Sequence, residues 1–146
     1  MKRTKGFTLI ELLIVIAVIS ILIGIILPRF KSMQDEGNIA KAKGELRTLQ
    51  TAVESFYIHN SNAYPAALSS LTSATPQIVA AIPADPFDSA SAAYGYVRGG
   101  TNNKFYVIFS DGPGGNGSAT ITSDAVAETN GSSCIYVSNA GTDTQP

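Results

Sequence analysis

Tryptophan is absent from these 146 residues, histidine and cysteine occur once each, and charged side chains make up only 14%. With Cys134 alone the chain closes no internal disulfide, and a thiolate metal site would have to recruit ligands of other kinds. His59 is the single histidine, beside Asn60 at the end of a helical pattern, and reads as an exposed or capping imidazole rather than a general base. No nucleophile, base and orienting group are evident, so the chain reads as non-enzymatic. Ten basic residues against eleven acidic ones leave no positive surplus with which to hold a polyphosphate backbone, and no nucleic acid partner is expected. A composition that is 45% hydrophobic is not that of a disordered chain, and the length suits one globular domain.

What the chain has in excess stands at its start. Residues 7–28 form one nearly unbroken apolar run, which as a helix would be roughly 33 Å long and could cross a bilayer core of about 30 Å. Lys2, Arg3 and Lys5 precede it and Arg29 and Lys31 follow, a comparison that favours a cytoplasmic N-terminus. A secretory signal peptide would share the basic start and the apolar run, but Ile25-Ile-Leu-Pro-Arg-Phe30 has no small-residue cleavage site, so the span reads as retained. A plain anchor does not explain Glu11, a carboxylate that is costly inside hydrocarbon and needs a reason.

Lys5-Gly6-Phe7-Thr8-Leu9-Ile10-Glu11-Leu12-Leu13, with Pro28 further along, resembles the prepilin signature of the type IV pilin and pseudopilin superfamily. The resemblance implies a leader over residues 1–6, cut after Gly6 on the cytoplasmic side by a prepilin peptidase, and N-methylation of the new terminus at Phe7. It also implies that Glu11 serves assembly, with Pro28 as a helix-kinking residue. Cleavage places an amine on Phe7 one helical turn before Glu11, and an amine from a neighbouring, axially staggered helix could meet the carboxylate. Because both groups must be desolvated, such a contact fixes register between subunits more than it adds stability. Gly24 and Pro28 weaken the last turns of the span, which could kink or locally unwind in a filament. Many type IV pilins carry a glycine where this chain has Ser20. By the same resemblance the chain is a homo-oligomer in a helical filament, drawn from membrane lipid by an inner-membrane assembly platform and a cytoplasmic ATPase, with minor pilins or pseudopilins as partners. The head would lie in the periplasm and the filament in the periplasm or at the cell surface.

After residue 29 the pattern changes. Ile39, Ala42, Leu46, Leu49, Val53 and Phe56 recur every three or four residues, the period of a helix with one apolar stripe. Asn60-Ser-Asn-Ala-Tyr-Pro65 ends it. One helix is expected over about residues 8–59, with residues 7–29 as its membrane and assembly half and 30–60 as its amphipathic half. Residues 61–146 form the head. Tyr94-Gly-Tyr-Val97, Lys104-Phe-Tyr-Val-Ile-Phe109, Ala119-Thr-Ile-Thr122 and Ser133-Cys-Ile-Tyr-Val137 read as strands of a small antiparallel sheet whose apolar face the stripe covers. The fold class is α+β, a rod with a head.

The glycine-rich Ser110-Asp-Gly-Pro-Gly-Gly-Asn-Gly117 lacks the lysine and hydroxyl residue of a P-loop and opens no helix. Asp85, Asp88, Asp111 and Asp124 around a flexible turn suit Ca²⁺, a hard cation taking six to eight oxygens. Pro83-Ala-Asp-Pro-Phe87, the Tyr94-Gly-Tyr96 run and the Gly/Asp loop are similar to the head of the type II secretion major pseudopilin. That resemblance implies calcium at the loop, with Asp111 and Asp124 as carboxylate ligands. Type IVa pilins normally close a C-terminal loop with two cysteines, which Cys134 alone cannot do. The expectation is therefore the major pseudopilin of a type II secretion system. The alternatives are the major pilin of a surface pilus serving adhesion, motility or DNA uptake, and a monomeric membrane-anchored binding protein.

Overall fold

The computed structural model describes residues 6–90, 92–129 and 134–140. Residues 1–5 of the expected leader, and Ser133 at the start of the expected last strand, lie outside the described residues. The chain forms two compact units divided between Glu36 and Gly37.

Helix α1 spans Leu9–His59, close to the limits its periodicity sets. In the first unit it is greasy on every side: Leu12, Ile16, Ile19, Ile23 and Ile26 are all exposed, and the most apolar window has a mean hydropathy of 3.2 with none of it buried. By length and composition this helix is able to cross a membrane. Pro28 lies inside it. The carbonyl its ring would crowd belongs to Gly24, four residues earlier, where a Cβ would meet nothing within 4 Å. The stretch around Gly24 and Pro28 is helical in the single chain.

In the second unit the stripe does what its spacing predicts. Ala42, Leu46, Leu49, Ala52 and Val53 are buried, with Ile39 and Phe56 packed at the margins. They meet Leu68, Leu71 of the short helix α2 (Ser69–Ser73), Tyr94, Tyr106, Ile108 and Ile135. Strands β1 (Gly95–Gly99), β2 (Phe105–Ser110) and β5 (Ile135–Ser138) make an antiparallel sheet with β2 in the middle. Val97 stands opposite Val107, and Ile108 opposite Val137. Two carboxylates of α1 accept hydrogen bonds from the tyrosines of this core. Tyr94 donates to Glu45 at 2.6 Å, while Tyr106 at 2.7 Å and Tyr64 at 3.3 Å donate to Glu54. Burial, and then these carboxylates, hold the Tyr94 and Tyr106 hydroxyls protonated well above the usual phenol range.

Two features depart from the expected single sheet. A fifth strand, β4 (Ala125–Thr129), pairs with β3 (Ser118–Thr122) in a separate two-stranded hairpin. The hairpin turns at Ser123 and Asp124, both with positive φ (51° and 65°), the geometry that lets a two-residue turn follow the strand twist. Ile121 and Val126 of the hairpin pack on Val107, Ala119, Cys134 and Tyr136. The three-stranded sheet is thus covered on both faces, α1 taking Tyr106 and Ile108 and the hairpin taking Val107. The unbroken apolar run of β2 is what a strand buried on both sides requires. Phe109 lies over Gly95, its cross-strand partner, where any Cβ would collide with the ring.

Candidate functional site

Gly6 and Phe7 precede α1 in non-helical, exposed backbone, and Phe7 is 81% exposed. A Cβ on Gly6 would meet nothing within 4 Å among the described residues, so no packing there calls for glycine. Thr8 begins the helix. Its backbone N–H donates to Glu11 Oε2 at 2.9 Å and its hydroxyl to the same oxygen at 2.7 Å, while Thr8 Oγ1 accepts from the Glu11 N–H at 3.3 Å. This is a capping box, in which the first and fourth residues satisfy each other's free donors. Sequence reasoning missed Thr8, although Thr-x-x-Glu ahead of an apolar run is the spacing that signals it. In the uncut chain Glu11 is therefore held by its own helix start, among Leu9, Ile10, Leu12 and Leu13, all exposed.

The acidic residues of the head divide between two turns. Asp85 is 4% exposed and accepts three hydrogen bonds: from the Phe87 N–H at 3.0 Å, the Ser110 hydroxyl at 2.7 Å and the Asp111 N–H at 2.8 Å. It ties the segment of the Ala84–Ala93 bridge to the end of β2. Asp88 caps its own turn, accepting from the N–H groups of Ala90 and Ala92. The Asp111 carboxyl is raised above its ordinary range by burial, and then by the charges of Asp85 and Asp88. Asp124 serves the other turn, its carboxylate taking the backbone N–H and the hydroxyl of Thr101. The two residues expected to share a cation thus have separate neighbours, Asp111 with Asp85 and Asp88, Asp124 with Thr101. Among the described residues no three Asp, Glu, His or Cys side chains are grouped to hold a metal ion.

Cys134 is buried against β2 and the hairpin, 7% exposed. Burial, with Glu128, Asp111 and Asp85 nearby, pushes its thiol up to about 12, so the reactive thiolate is scarce at neutral pH. Labelling with a disulfide reagent at pH 7.5 should be slower on the native protein than on the unfolded chain by roughly a hundredfold or more. Equal rates would show that the thiol is open to solvent.

The prokaryotic N-terminal methylation motif matches residues 1–27. The type IV major pilin protein PilA of Myxococcus xanthus is 47% identical over 55 residues, which cover 38% of this chain and 25% of that protein. The fimbrial protein EcpB of Eikenella corrodens is 48% identical over 59 residues, 40% of this chain and 37% of its own length. The type II secretion system core protein G of Pseudomonas aeruginosa aligns through the head, 28% identical over 130 residues that cover 78% of this chain and 89% of that protein. These matches support the type IV pilin and pseudopilin superfamily. A long apolar N-terminal helix with a small antiparallel head is the α+β fold that the superfamily resemblance implies. The strong identity to the pilins is short, spanning about a quarter to a third of their length, whereas the pseudopilin match is weaker and longer. No solved structure matches the chain.

Proposed function

We propose that this chain is a filament subunit, cut after Gly6, methylated at Phe7, held in the membrane by the first half of α1 and then packed by that half into a helical filament. The observation that carries the reading is the exposed apolar surface of residues 9–27 with a single carboxylate, Glu11, at its start. Lipid or other helices must cover that surface. Exchanging lipid for protein yields no large hydrophobic gain, so extraction draws on a separate cytoplasmic ATPase and an inner-membrane platform. The exposed backbone at Gly6 and Phe7, and a glycine that no packing among the described residues requires, support recognition of that bond by a peptidase. Mass spectrometry of the mature protein should find an N-terminus at methylated Phe7; a chain still beginning at Met1 in cells that make filaments would refute the processing.

Within the superfamily the proposal is the major pseudopilin of a type II secretion system, with the head in the periplasm. The long alignment to core protein G supports it, as does a head without a pair of cysteines. The partial but closer identity to pilins supports the second reading, a surface pilus. Deleting the gene separates them: loss of exported proteins with pili intact fits the first, and loss of surface pili with secretion intact fits the second.

Calcium at the turn of residues 110–117 belongs to the same proposal. What supports it is the Asp111 carboxyl, which stands near the charges of Asp85 and Asp88 and whose repulsion a divalent cation would relieve, with most of the cation's oxygens drawn from backbone carbonyls and without Asp124, which serves the other turn. Millimolar Ca²⁺ should raise the melting temperature of the detergent-solubilised chain; no rise and no calorimetric heat would remove the metal. In calcium-free buffer Asp111→Asn should melt higher than the native chain at pH 7. A carboxyl with a raised folded pKa binds its proton more tightly when folded, so the native chain loses stability as pH rises through that pKa. Asparagine does not ionise, so the two chains should converge below the ordinary value of 3.8.

A further inference from the structure

At the end of α1 farthest from Glu11 along the sequence, a cavity of about 300 Å³ opens between Tyr57, the 62–64 loop, β1 and the turn before β2. This is the lower end of the range for small-ligand pockets, too small for a folded partner. Two cations border it, Arg98 and Lys104. The Arg98 guanidinium donates to the Tyr64 carbonyl at 2.6 Å, and among the described residues neither cation has a carboxylate partner. Tyr57 and Tyr64 also border it, stacked with ring centroids 4.5 Å apart. Asn62, Asn102 and Asn103 complete the rim, all three with positive φ (58°, 58° and 54°). Their side-chain amides have no hydrogen-bond partner among the described residues.

We infer that this cavity binds an acidic sugar, a uronate residue of an anionic glycan. The carboxylate is the group that Arg98 and Lys104 would take, as charge-assisted hydrogen bonds to a cation are the strong ones. Three free amides, each both donor and acceptor, match ring hydroxyls, which also both donate and accept. The tyrosine pair supplies the flat apolar wall that the C–H face of a sugar ring requires. An acidic peptide would use the two cations, and its backbone could pair with the amides, but it brings no C–H ring face to the tyrosines. Asn102 and Asn103, which line the pocket, have left-handed backbone that asparagine tolerates better than most residues.

The test titrates the full chain, solubilised in a polyoxyethylene detergent without sugar head groups, with a galacturonate trisaccharide. Saturable heat is expected, with the matching neutral galactose trisaccharide and sodium acetate each bound at least tenfold more weakly. Lys104→Gln removes a side chain that makes no hydrogen bond among the described residues and should weaken uronate binding at least tenfold without moving the melting temperature. The double variant Asn102→Asp, Asn103→Asp keeps residues that accept positive φ while adding repulsion, and should weaken it further. Absence of saturable uronate binding, acetate binding as tight as uronate, or affinity unchanged in both variants would overturn the assignment. So would a glutamate-rich peptide that binds more tightly than the uronate.

Discussion

Replacing Glu11 with alanine should strip cells of filaments while leaving the subunit in the membrane. The carboxylate is the one charge in residues 9–28, and in the single chain its partners are the N–H and hydroxyl of Thr8. Cleavage after Gly6 would bring a cationic amine to within a turn of it. Alanine removes an unfavourable charge from the apolar segment, so insertion is not harmed and should be mildly favoured. What disappears is the contact with an amine on a neighbouring helix. A charge-assisted hydrogen bond in low dielectric changes an association constant by roughly tenfold or more, and a filament needs that contact at every subunit. Sheared fractions should therefore contain at least tenfold less filament at equal membrane levels. Thr8→Ala separates the two duties of Glu11: it removes the cap but keeps the carboxylate, and should reduce filaments far less. Filament yield within twofold of the native chain for Glu11→Ala would sink the assembly reading.

Asp85→Ala should produce the largest loss of stability in the head. The carboxylate accepts three hydrogen bonds, from the N–H groups of Phe87 and Asp111 and from the fully buried Ser110 hydroxyl. Hydrogen bonds to a charged group contribute about 1.5 to 3 kcal/mol each, and buried donors left without partners add to the loss. Relief of repulsion with Asp111 and Asp88 offsets part of it. The net is on the order of 3 kcal/mol, a large share of the roughly 5 to 15 kcal/mol that holds a domain together. A fall in melting temperature of roughly 10 °C follows. Asp85→Asn should fall between the two, since its amide can still accept from Ser110 but presents a second donor to the Asp111 N–H. A change under about 2 °C for the alanine variant would mean that water takes over the three donors.

How legible this chain is depends on how far each feature reaches along the sequence. The limits of α1 and the stripe from Ile39 to Phe56 follow from a local period and from Asn60-Ser-Asn at the end. The strands β1, β2 and β5 were visible as aromatic and β-branched runs. Strand β4 was not, because Ala125-Val-Ala-Glu-Thr carries one β-branched apolar residue and its turn is Ser123-Asp124 rather than a pairing with asparagine and glycine. The second cover on the sheet went unread for the same reason, although the unalternating Phe105-Tyr-Val-Ile-Phe109 hinted at two buried faces. At the N-terminus Thr8 was read only as part of a signature, which hid its capping spacing. Asp85 is the clearest case of a role that sequence could not disclose: its three donors are set by the meeting of residues 85–87 with residues 110 and 111, a long-range contact with no local trace. The same distance explains why Asp111 and Asp124, close in the sequence, serve different turns.

Glu45 and Glu54 are nine residues apart on α1, about half a revolution out of phase, so Tyr94 grips one flank of the apolar stripe and Tyr106 with Tyr64 the other. The head is keyed to the second half of α1 like a wheel to a slotted shaft. Apolar contact alone would resist separation but would let the helix roll about its own axis. Paired locks on opposite flanks oppose torque in either direction, so a twisting load on the head must break oriented hydrogen bonds before the helix can turn beneath it.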